Sequence, residues 1–449
     1  MTQTHTQTPN PRSRAAHALV LLEEPGQGNF LGSQAVLREV LDQAPVLTGP
    51  DRGLCTELVY GVLRRQRALD RWIAGSCREG LFQLHPRTLA ILRVGALQLA
   101  DLRVPSHAAV HATMEVAKRL VHPRQASFIH AVLRGLDRRL QKGDRPDDAD
   151  LPPWMARRVQ IWAERTGVDA LVLQKSLSQP APLFVHALDG DTQKLKLALE
   201  SENVPTTELH ELAIPGVLRC EDGRFLQTQI FADRQALVQD AASAAVIEWL
   251  VHVLGDAKGK QVGDIAAGQG VKSARLVTTG AQVTAIDVNP HKLTDAAVLC
   301  RQIGHPLAQT IAGDATQDLG LAAESFDAIL LDAPCSALGT LRRRPELRHR
   351  RMAADLLRMA HLQARLLEQA AKWLKPGGVL AYAVCSFAEE EGTLQIEEFL
   401  RNHPDFSRHD APPAWLQPWL DPQGDLLSRP GIDGADGFFA AMLKKNQPA

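Results

Sequence analysis

The sequence predicts two fold classes in one chain: an all-α region first, then an α/β doubly wound, Rossmann-like domain. Three observations carry this. From Pro11 to about Gln141 the apolar residues recur at helical spacing, and no convincing strand interrupts them. From about residue 239 strand-like and helix-like stretches alternate, the pattern of a mostly parallel sheet. A length of 449 residues also exceeds one ordinary core, so two or three domains are expected.

In the first region, "RSRAAHALVLLEE" resembles a secretion signal only superficially. Its apolar part is short, Glu23 and Glu24 follow at once, and no small-residue cleavage site appears. An amphipathic helix after a polar tail is expected. "DRGLCTELVYGVLRRQRALDRWIAG" places Leu54, Leu58, Val59, Val62, Leu69, Trp72 and Ile73 on one stripe, with Asp51 as the expected N-cap. "PRTLAILRVGALQLADL", "HAAVHATMEVAKRLV" and "QASFIHAVLRGLDRRLQ" read as further helices. His107 and His111 have the spacing of a metal pair, but no glutamate lies between them and no third ligand is in view, so no metal is expected.

Residues 142–153, "KGDRPDDADLPP", read as a polar linker. The expected division is 1–143 helical, 144–235 linker and mixed α/β subdomain, and 236–449 doubly wound core. In that core, strands "GKQVGDIAA", "AQVTAIDV", "LAQTIAGDA", "FDAILLDAP" and "GVLAYAVCS" alternate with helices, and "DGFFAAMLKK" is the expected last strand.

Composition is that of a soluble globular protein, with 45% hydrophobic and 22% charged residues and no apolar run long enough to span a bilayer. Six cysteines show no CxxC pair, which argues for reduced thiols in a cytoplasm and against structural zinc. The net charge of −1 excludes a global polycation. Basic residues nevertheless concentrate: residues 1–145 hold 20 Lys+Arg against 12 Asp+Glu, and "RRRPELRHRR" (342–351) holds six arginines. That run reads equally as a solvated face or as a phosphate contact, with Arg348, Arg350 and Arg351 as the candidate phosphate contacts.

Doubly wound sheets bind ligands at the carboxyl ends of their central strands. "DIAAGQGVKS" (264–273) is a strand, a glycine turn and a helix start, where Gly268 and Gly270 permit close approach and exposed amides face a polar ligand. Asp287 ends the next strand, where a carboxylate can hold ribose hydroxyls, and Asp314 ends the third. Each aspartate alone could be a helix cap; together they favour a nucleoside-type ligand. At the other end of the core, "DAPCSALGT" and "AYAVCSFAEEE" place Cys335 and Cys385 after strand-like runs, each followed by serine. If their strands are neighbours, both thiols face one cleft. Ser386 and Glu389 match a helix capping box, which would set Cys385 beside a helix N-terminus and favour its thiolate, with the glutamates at 389–391 opposing. The alternative is two small buried hydrophobes.

"DAPCSALGTLRRRPE" together with "VCS" resembles the NOL/NOP/Sun family of RNA cytosine-5 methyltransferases, and "DRGLCTELVYGVLRR" with "RVPSHAAVHATMEVAKR" is similar to the antitermination factor NusB. "FADRQALVQDAAS" and the terminal "DGFF" extend the likeness over nearly the whole chain. The resemblance implies a NusB-like RNA-binding domain ahead of a class I methyltransferase domain that uses S-adenosyl-L-methionine. It implies methyl transfer to C5 of a cytosine in small-subunit ribosomal RNA, by a cytoplasmic, monomeric enzyme with neither membrane nor metal. Cys385 matches the family's nucleophile and Cys335 the second cysteine, implicated in releasing product. Asp332 matches the acid that meets the base and lies near the methionine part of the cofactor. Asp287 and Asp314 fall on ribose and adenine positions, and Ala266, Ala267, Gly268, Gln269, Gly270, Val271 and Lys272 on the cofactor loop. That loop departs from the family's CAAPGGK: Ala266, Gln269 and Val271 stand for Cys, Pro and Gly.

Other readings explain less. Transfer RNA as substrate fits the same chemistry. A non-enzymatic NusB-type protein leaves both cysteine motifs without purpose. A nicotinamide oxidoreductase predicts a GxGxxG that is absent, and in a DNA cytosine methyltransferase the cysteine of the earlier Pro-Cys motif attacks.

Overall fold

Helical periodicity in the N-terminal region becomes helix throughout. The computed structural model describes residues 10–23, 32–43, 45–77, 80–101, 104–147, 151–209 and 212–447. The polar tail before residue 10, Glu24, and residues 148–150 of the expected linker lie outside the described residues. Helices span Pro11–Glu23, Ser33–Asp42, Gly49–Ala74, Pro86–Ala100, Ser106–Leu120 and Pro123–Gln141. Leu58, Val59, Val62, Leu69, Trp72 and Ile73 are buried and share one core with Ile91, Leu97, Ile129 and Leu133. The long helix begins earlier than expected. Thr48 is its N-cap, Pro50 occupies the first turn, where a missing N–H is harmless, and Asp51 sits inside that turn.

Residues 1–152 and 341–350 form one compact unit, and 153–340 with 351–449 form the other. Side-chain chemistry explains why the arginine segment joins the helices. Arg348 Nη1 donates to the Arg64 carbonyl at 3.0 Å, Arg350 Nη2 to that of Leu22 at 2.8 Å, and the Glu346 carboxylate accepts from the Ser33 hydroxyl at 2.7 Å. Arg348 is only 1% exposed. The expectation that it meets phosphate is therefore corrected: the guanidinium is interior and bonded to a helix carbonyl.

In the second unit a small antiparallel sheet comes first. Its strands are β1 (Leu183–Ala187), β2 (Thr206–Thr207), β3 (Val217–Cys220) and β4 (Ala236–Val238), in the order β2-β3-β1-β4. The larger sheet contains β5 (Gln261–Ile265), β6 (Gln282–Asp287), β7 (Gln309–Ala312), β8 (Phe326–Asp332), β9 (Leu374–Val384), β10 (Phe406–Arg408), β11 (Leu426–Leu427) and β12 (Phe439–Lys445). Its order is β10-β12-β9-β8-β5-β6-β7, with β11 on β12. Strands β5 to β9 are parallel and β12 runs antiparallel to β9. The central strands carry near-continuous apolar runs because helices cover both faces, as in a parallel sheet. Chain order reverses between β5 and β8, and the crevice at that reversal is where such sheets take ligands. No described helix is long and apolar enough to cross a membrane.

Candidate active site

The loop after β5 turns tightly. Ala266, Gly268 and Gly270 all adopt positive φ, at 59°, 57° and 79°. For Ala266 this left-handed conformation costs about 1 kcal/mol. A Cβ on Gly270 would lie 2.5 Å from that of Ala296, so only glycine fits there. On Gly268 a Cβ would meet only the Ala266 carbonyl oxygen, at 4.0 Å, so the loop leaves open space on that side. Three of the amides expected to face a ligand are already used. Ala267 N donates to Ile286 O (3.1 Å), Gly268 N to Asp287 Oδ2 (2.9 Å) and Gly270 N to Ala267 O (3.0 Å). Gln269 reaches Asp295 at 3.3 Å, and Val271 and Lys272 open the next helix. Asp287 Oδ1 also accepts the Asn289 amide at 2.8 Å. A carboxylate has about four lone-pair sites, so Asp287 retains acceptor capacity for hydroxyl donors. Asp314 lies beyond β7, exposed, and the Thr316 amide at 2.9 Å helps hold its carboxyl below the usual range.

Strands β8 and β9 are adjacent and in parallel register, Asp332 opposite Ala383. The two cysteine loops therefore leave the sheet side by side, and Cys335 Sγ lies 3.4 Å from Cys385 Sγ. Both are free thiols and both are partly exposed. Bonding to the second sulfur, burial and the nearby Glu391 carboxylate push the Cys335 thiol well above its ordinary value. Lys272 Nζ bonds Asp332 Oδ2 at 2.6 Å, so the cofactor loop and the end of β8 share an ion pair. Burial opposes the Lys272 charge, but Asp332 outweighs it and raises the ammonium pKa.

Beneath the sulfurs lies a polar cluster that sequence reasoning missed. The fully buried Glu391 accepts from the Ser336 amide (2.6 Å), the Ser336 hydroxyl (2.5 Å), the Ser386 hydroxyl (2.6 Å) and Gln363 Nε2 (3.3 Å). Tyr382 donates to its carbonyl at 2.6 Å. The expected capping box at Ser386 and Glu389 does not form. The helix begins at Thr393 with Gly392 as N-cap, because Ser386 spends its hydroxyl on Glu391 and on the Ala388 amide at 3.2 Å. Cys385 is thus not beside a helix N-terminus. The only signal in the sequence was the repeated Cys-Ser pair.

A relative from Xylella fastidiosa, the ribosomal RNA small subunit methyltransferase B, is 34% identical over 97% of this chain and 98% of its own. The chain belongs to the RsmB/F family of 16S rRNA methyltransferases. The RsmB/F family model matches residues 251–444 and the NusB family residues 9–138. The Thermus thermophilus enzyme of the same name is 32% identical, again over 97% of this chain and 98% of its own. The fold of this RsmB/F member is also that of PH0851, whose crystal structure superposes with a TM-score of 0.76 at 23% identity, covering 98% of this chain and all of that one. NSun6 from Pyrococcus horikoshii, solved with SFG, matches with a TM-score of 0.53 at 17% identity, covering 65% of this chain and 98% of its own.

Within this RsmB/F chain, Cys335, Cys385, Asp332 and Lys272 stand together at the ends of β5, β8 and β9. Residues 266–271 and Asp287 form the adjoining wall through the Gly268 amide bond. Asp314 lies just past β7, the strand paired with β6, and accepts the Thr316 amide among the described contacts.

Proposed function

We propose that this protein transfers a methyl group from S-adenosyl-L-methionine to C5 of a cytosine in small-subunit ribosomal RNA, through a covalent adduct of Cys385 at C6. The juxtaposition of two thiols at 3.4 Å is the observation that carries this reading. A binding module has no use for such a pair. The relatives' names, with the helical region's basic surplus, favour ribosomal RNA as the partner and a cytoplasmic site of action.

The residues present fit the cofactor. The open side of Gly268 leaves room for it, the spare lone pairs of Asp287 suit a ribose diol, and Asp314 offers an acceptor for an adenine amine. S-adenosyl-L-methionine, when bound, supplies the methyl group as an electrophile. The chain's own work is to make C5 nucleophilic. The Cys385 thiolate forms a bond to C6, and the ring's displaced electron pair takes up a solvent proton at N3, whose N–H the Asp332 carboxylate accepts; N3 gives that proton back as the adduct breaks down. Once C5 carries the methyl group, its hydrogen leaves as a proton and the Cys385–C6 bond breaks, returning the thiolate. While Cys385 is bonded to C6 its charge no longer acts on Cys335, so Cys335 gives its proton to solvent and, as the thiolate, takes the proton that leaves C5. An unpaired nucleotide is the easier target, because opening a paired base costs a few kcal/mol.

RNA affinity is assigned to the helical unit. A cleft of about 590 Å³ there is lined by His107, His111, Lys118, His130 and Arg134, and no carboxylate lines it among the described residues. Phosphate contacts of this kind weaken with salt.

The test uses small-subunit RNA tritiated at cytosine C5. Purified protein with cofactor is expected to release one tritium for each methyl incorporated. Methyl incorporation without tritium loss would place the reaction at another atom, and no incorporation at all would reject the assignment.

A further inference from the structure

We propose that Glu391 is a positioning residue that sorts the two thiols: bonded to both Cys-Ser loops, it keeps their shared proton on Cys335 and leaves Cys385 as the nucleophile. The inference rests on the methyltransferase reading and adds to it the device that assigns the cysteines their roles.

Geometry is the first support. Glu391 is 0% exposed, yet no cation is bonded to it among the described contacts; hydroxyls, an amide N–H and a carboxamide surround it instead. Its two oxygens bridge the residues that follow each cysteine, Ser336 and Ser386, whose hydroxyls lie 3.1 Å apart. Gln363 completes the clamp by donating also to the Pro334 carbonyl at 2.9 Å. Replacing such a bridge would loosen both sulfurs at once.

Charge placement is the second support. Facing Cys335 are Tyr382 from β9, Cys385 just past its end, Glu391 from the following turn, and Arg351, whose Nε bonds the Ser336 carbonyl at 3.0 Å. The Lys272–Asp332 pair completes the site, and the Lys272 ammonium interacts favourably with Cys385. The thiol pair therefore sits in a graded field, with the buried Glu391 acting on Cys335 and the partly exposed Lys272 ammonium acting on Cys385. Two sulfurs this close cannot both ionise readily, so the field decides which one does. Burial pushes the Glu391 carboxyl up, while its hydrogen-bond donors favour the charged form.

The experiment labels full-length protein briefly with iodoacetamide across a pH series and quantifies each cysteine peptide by mass spectrometry. In the native chain Cys385 is expected to react first, with Cys335 lagging until well above the ordinary thiol value of 9.0. Glu391→Gln, nearly isosteric but uncharged, is expected to raise the ratio of Cys335 to Cys385 labelling roughly tenfold near neutral pH. Ser336→Ala keeps the charge and is expected to keep the native preference. An unchanged ratio in Glu391→Gln overturns the proposal, as does an equal shift in Ser336→Ala, which would make packing the cause. Equal labelling of both cysteines in the native chain near neutral pH overturns it without any variant. Absence of methyl transfer by the native protein, with the labelling preference intact, would reject the methyltransferase reading alone.

Discussion

Asp264 shows how one buried side chain links this site to pH. It is 1% exposed at the end of β5, bonded by the Ser273 hydroxyl at 2.5 Å, while its Oδ1 is buried without a partner. Burial raises its carboxyl from 3.8 to about 7, and Ser273 and Lys272 offset this only in part. Between those values the unfolded chain gives up this proton and the folded chain does not. The group's contribution to stability is therefore fully present at low pH and lost as pH rises, by on the order of 4 kcal/mol across the window. Asp264→Asn removes that dependence. Urea denaturation at several pH values is expected to show a flatter profile between about pH 4 and pH 7 and a gain in stability at the upper end. Parallel profiles for native protein and variant would show that Asp264 is ionised in the fold.

At the scale of elements, the cysteine loops hold their shape through backbone packing as well as through Glu391. Gly339 N bonds the Cys385 carbonyl at 3.0 Å, and Gly437 N bonds the Gly339 carbonyl at 2.9 Å. A Cβ on Gly339 would lie 1.7 Å from the Gly437 carbonyl oxygen, and backbone on both sides prevents relief. Gly339→Ala is expected to destabilise the second unit by about 3 kcal/mol or more, read as a lowered denaturation midpoint, and to abolish methyl transfer. Native stability in this variant would mean that the loops move freely. These elements also show what sequence can carry. The strand ends bearing Cys335 and Cys385 were legible because parallel strands leave continuous apolar runs and their order follows from the alternation with helices. The capping box expected at Ser386 and Glu389 fails because Ser386 has two local options, and only the position of Glu391 in three dimensions selects the turn over the helix. In sequence Glu391 is only one of three glutamates expected to oppose the Cys385 thiolate, since nothing along the chain distinguishes it from Glu389 and Glu390, which face Arg165 and Arg158.

Across the whole molecule, chain order and spatial organisation differ at one segment. The arginine run at 342–351 follows the Cys335 loop in sequence, yet residues 341–350 belong to the helical unit. Arginine patterns resemble a phosphate-binding patch whether the guanidinium reaches solvent or a helix carbonyl, so composition could not tell the two apart. A fragment of residues 153–449 would strand Arg342, Glu346 and Arg348, all buried in the intact chain. Limited proteolysis of that fragment is expected to cut within 341–350, where the intact protein is protected, with the sites read by mass spectrometry. Equal protection in both would show that the segment holds its conformation without the helices.

The central claim is that Cys385 attacks the base and Cys335 acts only when the adduct breaks down. Denaturing electrophoresis of Cys385→Ala and Cys335→Ala, each incubated with cofactor and small-subunit RNA, tests it most directly. Cys335→Ala is expected to methylate once and accumulate a protein–RNA band that survives denaturation, while Cys385→Ala shows neither band nor methyl transfer. A stable band appearing only with Cys385→Ala would exchange the two roles, and full activity in both variants would contradict the covalent mechanism.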